Sequence, residues 1–110
     1  MSMSNLKANE VAALAELKHR LGRDFGLVDL RLFGSKARGD SHSESDIDVL
    51  VVLENCDWAT EKAVYDLCLD VGFDHHVFIA PLLYSRADYE SSLTRATDIY
   101  ESVAREGVPV

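Results

Sequence analysis

Three patterns of apolar spacing organise the first half of the chain. From about Leu6 to Leu21, Val11, Leu14, Leu17 and Leu21 recur at three- and four-residue steps, which places them on one stripe of a helix. Gly22 is the expected stop. From Val28 to Phe33 the period changes to two, with Val28, Leu30 and Leu32 opposed to Asp29, Arg31 and Phe33, as in a strand with one better-buried face. From Ile47 to Leu53 the alternation disappears into an unbroken Val-Leu-Val-Val-Leu run. Such a run belongs to a strand covered on both faces, hence a central one.

The second half repeats these signals. Asp57 can cap a helix running to about Val71, with Val64, Leu67, Cys68 and Val71 as its stripe and Gly72 as its end. Phe73 to Ala80 reads as a third strand, stopped by Pro81. Ser85, with Asp88 three residues on, resembles a capping box with a shorter acid. It opens a final helix to about Glu106 with Leu93, Ala96, Tyr100 and Val103 on one side, closed by Gly107 and Pro109. The expected order is α-β-(short α)-β-α-β-α: an α/β (α+β) fold with three strands and flanking helices. A length of 110 residues suits a single domain, 1–110.

Composition narrows the functional classes. With 47% hydrophobic and 27% charged residues, a core can form without metal or disulfide staples. A net charge of −8 speaks against direct contact with nucleic acid or anionic membranes and suits a basic protein partner. Cys56 and Cys68, the two cysteines, lack metal-ligand spacing and suit a reducing compartment. With neither a signal-like stretch nor a membrane-length apolar run, a cytoplasmic location is expected.

The chemistry lies between the first two strands. Asp46 and Asp48 stand two apart at the head of the central strand, so both side chains leave one face. Like charges held side by side repel, and a divalent cation relieves the repulsion; Mg²⁺ takes one or two carboxylates together with substrate phosphates. Gly34-Ser35, at the end of the preceding strand, can cradle a phosphate, since glycine admits close backbone approach and serine adds a hydroxyl. Taken singly, Gly-Ser is an ordinary turn, Asp-x-Asp a solvated strand end, and Lys36 and Arg38 surface charges. The joint arrangement is far less expected by chance.

The stretch "GSKARGDSHSESDID" resembles the Gly-Ser, ten-residue spacer, Asp-x-Asp signature of the DNA polymerase β-like nucleotidyltransferases. Chain length, "SDIDVLVV" and the closing "YESVAREGVPV" look most like the minimal nucleotidyltransferases, commonly the antitoxins of HEPN/MNT toxin–antitoxin pairs. The resemblance implies a three-stranded mixed sheet, ATP as substrate and two Mg²⁺ ions. It implies that Gly34 and Ser35, with Arg38 beside them, bind the nucleotide, and that Asp46 and Asp48 bridge the metals. The family's third carboxylate lies on the next strand, where Asp74 is the candidate, and His76 would share its face; with the opposite parity His75 would point to the site. It further implies transfer of AMP to a tyrosine of a cognate HEPN ribonuclease toxin. Two alternatives stand beside this: an antitoxin that neutralises by binding alone, and a small-molecule nucleotidyltransferase.

Overall fold

The computed structural model describes residues 6–39 and 46–110, the side chain of Ser35 excepted. The expected Asp40–Ser45 loop lies outside the described residues. Helix α1 (Ala8–Asp24) is followed by strand β1 (Leu27–Phe33), the short helix α2 (Gly34–Arg38), strand β2 (Ile47–Leu53) and helix α3 (Trp58–His75). Strand β3 (Ile79–Ser85), the helices α4 (Arg86–Glu90), α5 (Ser92–Arg95) and α6 (Asp98–Glu106), and a two-residue strand β4 (Val108–Pro109) complete the order. The sheet runs β3-β2-β1-β4, so the expected three strands become four. β1 is antiparallel to both β2 and β4, and β3 is parallel to β2.

The unbroken apolar run does make β2 a central strand: Val49, Leu50, Val51, Val52 and Leu53 are all buried. Ile47, Val49, Val51 and Leu53 face a core shared with α1 and α3, while Leu50 and Val52 face a smaller one closed by Val103 of α6. Each such side chain contributes about 1.5–3 kcal/mol by leaving water. Asp48 shares the face of Leu50 and Val52, so the candidate chemistry lies on the α6 side of the sheet.

Several sequence expectations are corrected. Val11 is half-exposed, and the buried stripe of α1 is Glu10, Ala13, Leu14, Leu17 and Leu21. Helix α1 continues through Gly22 to Asp24, and α3 continues through Gly72 to His75. Asp57 does cap α3, its carboxylate accepting the Thr60 N–H at 2.8 Å. Gly72 is needed because the chain doubles back against it: an added Cβ would sit 2.6 Å from the Val77 carbonyl oxygen. The third strand therefore starts at Ile79 and carries Pro81 within it, tolerated because β3 is an edge strand. The single final helix is three short ones, each with its own cap: Ser85 accepts from Asp88 N–H, Ser91 from Thr94 N–H and Thr97 from Tyr100 N–H.

Among the described residues, no helix is long and apolar enough to cross a membrane. Both cysteines are free thiols, and burial pushes Cys68 up to about 11.

Candidate active site

Gly34 holds the two halves of the motif together. It carries the chain out of β1 at φ +73°, in the left-handed region that glycine adopts without penalty. A second constraint acts at the same atom, since a Cβ there would lie 2.5 Å from Asp48 Oδ2 and 3.3 Å from its Cγ. The carboxylate rests against the backbone of the Gly-Ser turn because Phe33, the residue before Gly34, is the ladder partner of Asp48. Gly34→Ala is therefore expected to cost about 1–2 kcal/mol from backbone strain alone, and to displace Asp48 as well. Thermal melting together with ATP titration should show both stability and nucleotide affinity reduced.

Asp48 is half-buried and Asp46, directly before β2, is exposed. Burial pushes the Asp48 carboxyl above its ordinary range, the charge of Asp46 adds to this, and the Arg38 guanidinium partly opposes it. A bound cation would favour the ionised form. The donors are hard carboxylate oxygens beside a turn with backbone amides, a set that fits Mg²⁺ shared with nucleotide phosphates.

The short helix that follows the glycine is anchored from beneath. Lys36 is buried, and its Nζ pairs with Glu10 Oε2 at 2.6 Å. The other Glu10 oxygen accepts the Lys7 backbone N–H at 2.8 Å, closing the first turn of α1. Burial raises the Glu10 pKa, but the Lys36 ammonium and the Lys7 N–H outweigh it, so the carboxyl is held below its usual value. Lys36 is thus a buried structural charge and not a surface one. Its sequence signal was Glu10 at the head of the α1 stripe, where an apolar residue belongs. Arg38 lies at the other end of α2 and bonds Glu106 Oε2 at 3.2 Å, tying α2 to α6.

The third carboxylate is where the sequence reading fails. Asp74 sits exposed in the last turn of α3, on the helical layer opposite the Asp48 face. His75 is in the same turn and bonds Glu16 Oε1 at 2.9 Å, and His76 is the left-handed residue that ends α3, at φ 58°. None of the three lies on a strand. β3 carries no acid, and Ala80 is the residue in register with Asp48. Among the described residues, no group of three or more His, Cys, Asp or Glu side chains is placed to hold a metal ion.

Comparison with known proteins identifies the family. The nucleotidyltransferase domain family matches residues 14–96. "Putative protein adenylyltransferase MJ0141" of Methanocaldococcus jannaschii is 31% identical over 80 residues, covering 72% of this chain and 74% of that protein. A second protein of that organism, "Putative protein adenylyltransferase MJ1305", is 32% identical over 78 residues, covering 68% of this chain but only 52% of its own length. A solved "putative minimal nucleotidyltransferase" superposes over 100% of this chain and 97% of its own, at 28% identity and a TM-score of 0.59. A toxin-antitoxin crystal structure with AMP-PNP shares the fold at 19% identity, with a TM-score of 0.62 over 94% of this chain and 72% of its own. The matched residues 14–96 include the glycine turn, Asp46, Asp48 and the strands that carry them, and the chain belongs to the nucleotidyltransferases.

Proposed function

We propose that this chain is a Mg²⁺-dependent adenylyltransferase that moves AMP from ATP to a tyrosine hydroxyl of a protein partner, acting as the antitoxin of a HEPN ribonuclease toxin. The observation that carries the reading is the close approach of the Asp48 carboxylate to Gly34, which would bring metal-binding oxygens and phosphate-binding amides to one point. Relatives named as putative protein adenylyltransferases and structural neighbours from toxin-antitoxin complexes support a protein acceptor and a toxin partner.

In this reading Gly34 and Ser35 hold the β- and γ-phosphates, with Arg38 close by. Asp46 and Asp48 would hold Mg²⁺, which when bound neutralises charge on the triphosphate and on the leaving group. The acceptor oxygen attacks the α-phosphorus in line; the bond from that phosphorus to the bridging oxygen breaks, and pyrophosphate leaves. With no carboxylate on β3, the hydroxyl proton passes to solvent or to a group brought by the partner. The cytosol, which supplies ATP and keeps Cys56 and Cys68 reduced, is the fitting compartment.

That same absence favours a second reading, in which the chain binds nucleotide and neutralises its partner by covering it. Intact masses of the partner, purified with and without co-expression of this chain, separate the two. Gain of one or more AMP units is the expected result; a stable complex with unmodified partner would leave masking as the function.

A further inference from the structure

Helix α3 is apolar on two opposite faces. Val64, Leu67, Cys68 and Val71 are buried against the sheet and α1. On the far side Trp58 is 79%, Tyr65 41%, Leu69 61% and Phe73 84% exposed, at helical spacings of seven, four and four. Phe78, 60% exposed at the head of the β3 edge strand, extends the stripe. A helix apolar on both sides is ordinarily covered on both. Five such side chains present on the order of 500 Å² of apolar surface, the scale at which a patch on a monomer is commonly functional.

The stripe has relief and a charged rim. Leu69, Phe73, Val77 and Phe78 line one groove of about 220 Å³, and Trp58, Lys62 and Tyr65 help line another of about 220 Å³. Asp57, Glu61, Asp66, Asp70 and Asp74 stand along the helix; Asp66 pairs with Lys62 at 2.9 Å and Asp70 with Arg20 of α1 at 3.2 Å, which leaves the rim acidic at Asp57, Glu61 and Asp74. A second copy would set these acidic rims against each other, on chains that each carry −8. The complementary surface is an apolar helix face bordered by Lys and Arg. The stripe ends at the same end of the sheet as Asp46 and Asp48, on the opposite layer: α3 runs back along β2, and the Phe78 carbonyl accepts the Ile47 N–H at 2.8 Å.

We infer that this face of α3 is the docking surface for the protein acceptor, which presents to it an amphipathic helix with a basic rim. The inference rests on the proposed reading that the acceptor is a protein.

Trp58 is the chain's one tryptophan and lies in the stripe, so its emission reports on occupancy. Phe73 follows Trp58 by 15 residues, a span of about 22 Å that an amphipathic peptide of about 18 residues covers. The probe is such a Leu/Lys helical peptide, titrated without nucleotide. A blue shift is expected for the wild type and for Leu93→Ser, which alters an exposed leucine on α5. Binding at least tenfold weaker is expected for Leu69→Ser/Phe73→Ser, at unchanged melting temperature. Equal binding by that variant, equal binding of a Leu/Glu peptide of the same spacing, or a shift that appears with protein concentration alone would overturn the inference, the last by making a second copy the occupant. A second arm uses the partner protein. AMP transfer at wild-type rate by Leu69→Ser/Phe73→Ser would overturn the docking surface and leave the enzyme standing, whereas a partner held through α3 but never modified would sink catalysis and keep the surface.

Discussion

Asp46→Asn/Asp48→Asn is expected to lower AMP transfer by at least about a thousandfold, the scale on which loss of preorganised charge stabilisation depresses kcat. It should also abolish the difference between ATP affinity measured with Mg²⁺ and with EDTA, because neither amide replaces a carboxylate as a hard anionic ligand. The fold should survive. Burial and the charge of Asp46 raise the Asp48 pKa in the folded state. Its ionised form therefore works against folding at neutral pH, and that penalty is relieved as the pH falls through the folded value. Removing the charges should leave the melting temperature at pH 7 equal or higher. Transfer from ATP labelled at the α-phosphate, melting, and calorimetric titration test the three statements together; wild-type affinity with and without Mg²⁺ would remove the Asp pair from metal binding.

Lys36→Met is expected to be the most destabilising substitution near the site. It strands the Glu10 carboxylate in the core, and breaking a buried pair from one side costs about 3–5 kcal/mol. The double variant Glu10→Met/Lys36→Met should recover most of that loss, retaining a deficit for the Lys7 N–H that Glu10 caps. The acid limb of stability gives an independent check. The folded-state pKa of Glu10 is lowered, so its contribution is present above its unfolded value near 4.3 and is lost as the pH falls through the folded one. Denaturant melts from pH 6 down to about pH 3 should show a steeper fall for wild type than for Glu10→Gln. Parallel curves would mean that the pair does not hold α2 in place.

The sequence was legible wherever a single local rule decided the outcome. The Val-Leu-Val-Val-Leu run of β2, the Asp57 cap and the Gly34/Asp48 pairing all follow from side-chain period, capping chemistry or motif. It misled where tertiary contact overrode a local signal. Gly72 reads as a helix stop, yet it is there to let the Val77 carbonyl pass close by. Extending α3 by one turn moved Asp74 from a strand to a helix and removed the third carboxylate from the site. Strand β4 has two residues, too few for any period to register. The expected final helix breaks into three because Ser91 and Thr97, inside its apolar period, each begin a new cap. Trp58, Tyr65, Leu69 and Phe73 were visible as apolar residues, but only the packing reveals that the sheet uses the other side of their helix.

The antiparallel ladder between β1 and β2 also bears on how the site can move. Phe33 opposite Asp48 fixes the Gly-Ser turn against the carboxylates through main-chain hydrogen bonds of neighbouring strands. Drawing the two halves apart would mean breaking the end of the β1/β2 ladder and, beside it, the pairing of Asp48 with Ala80 of β3. In the proposed reading, this half of the site has no hinge of its own, and ATP would enter and pyrophosphate leave over a rigid floor. In that reading, gating falls to the arrival and departure of the acceptor.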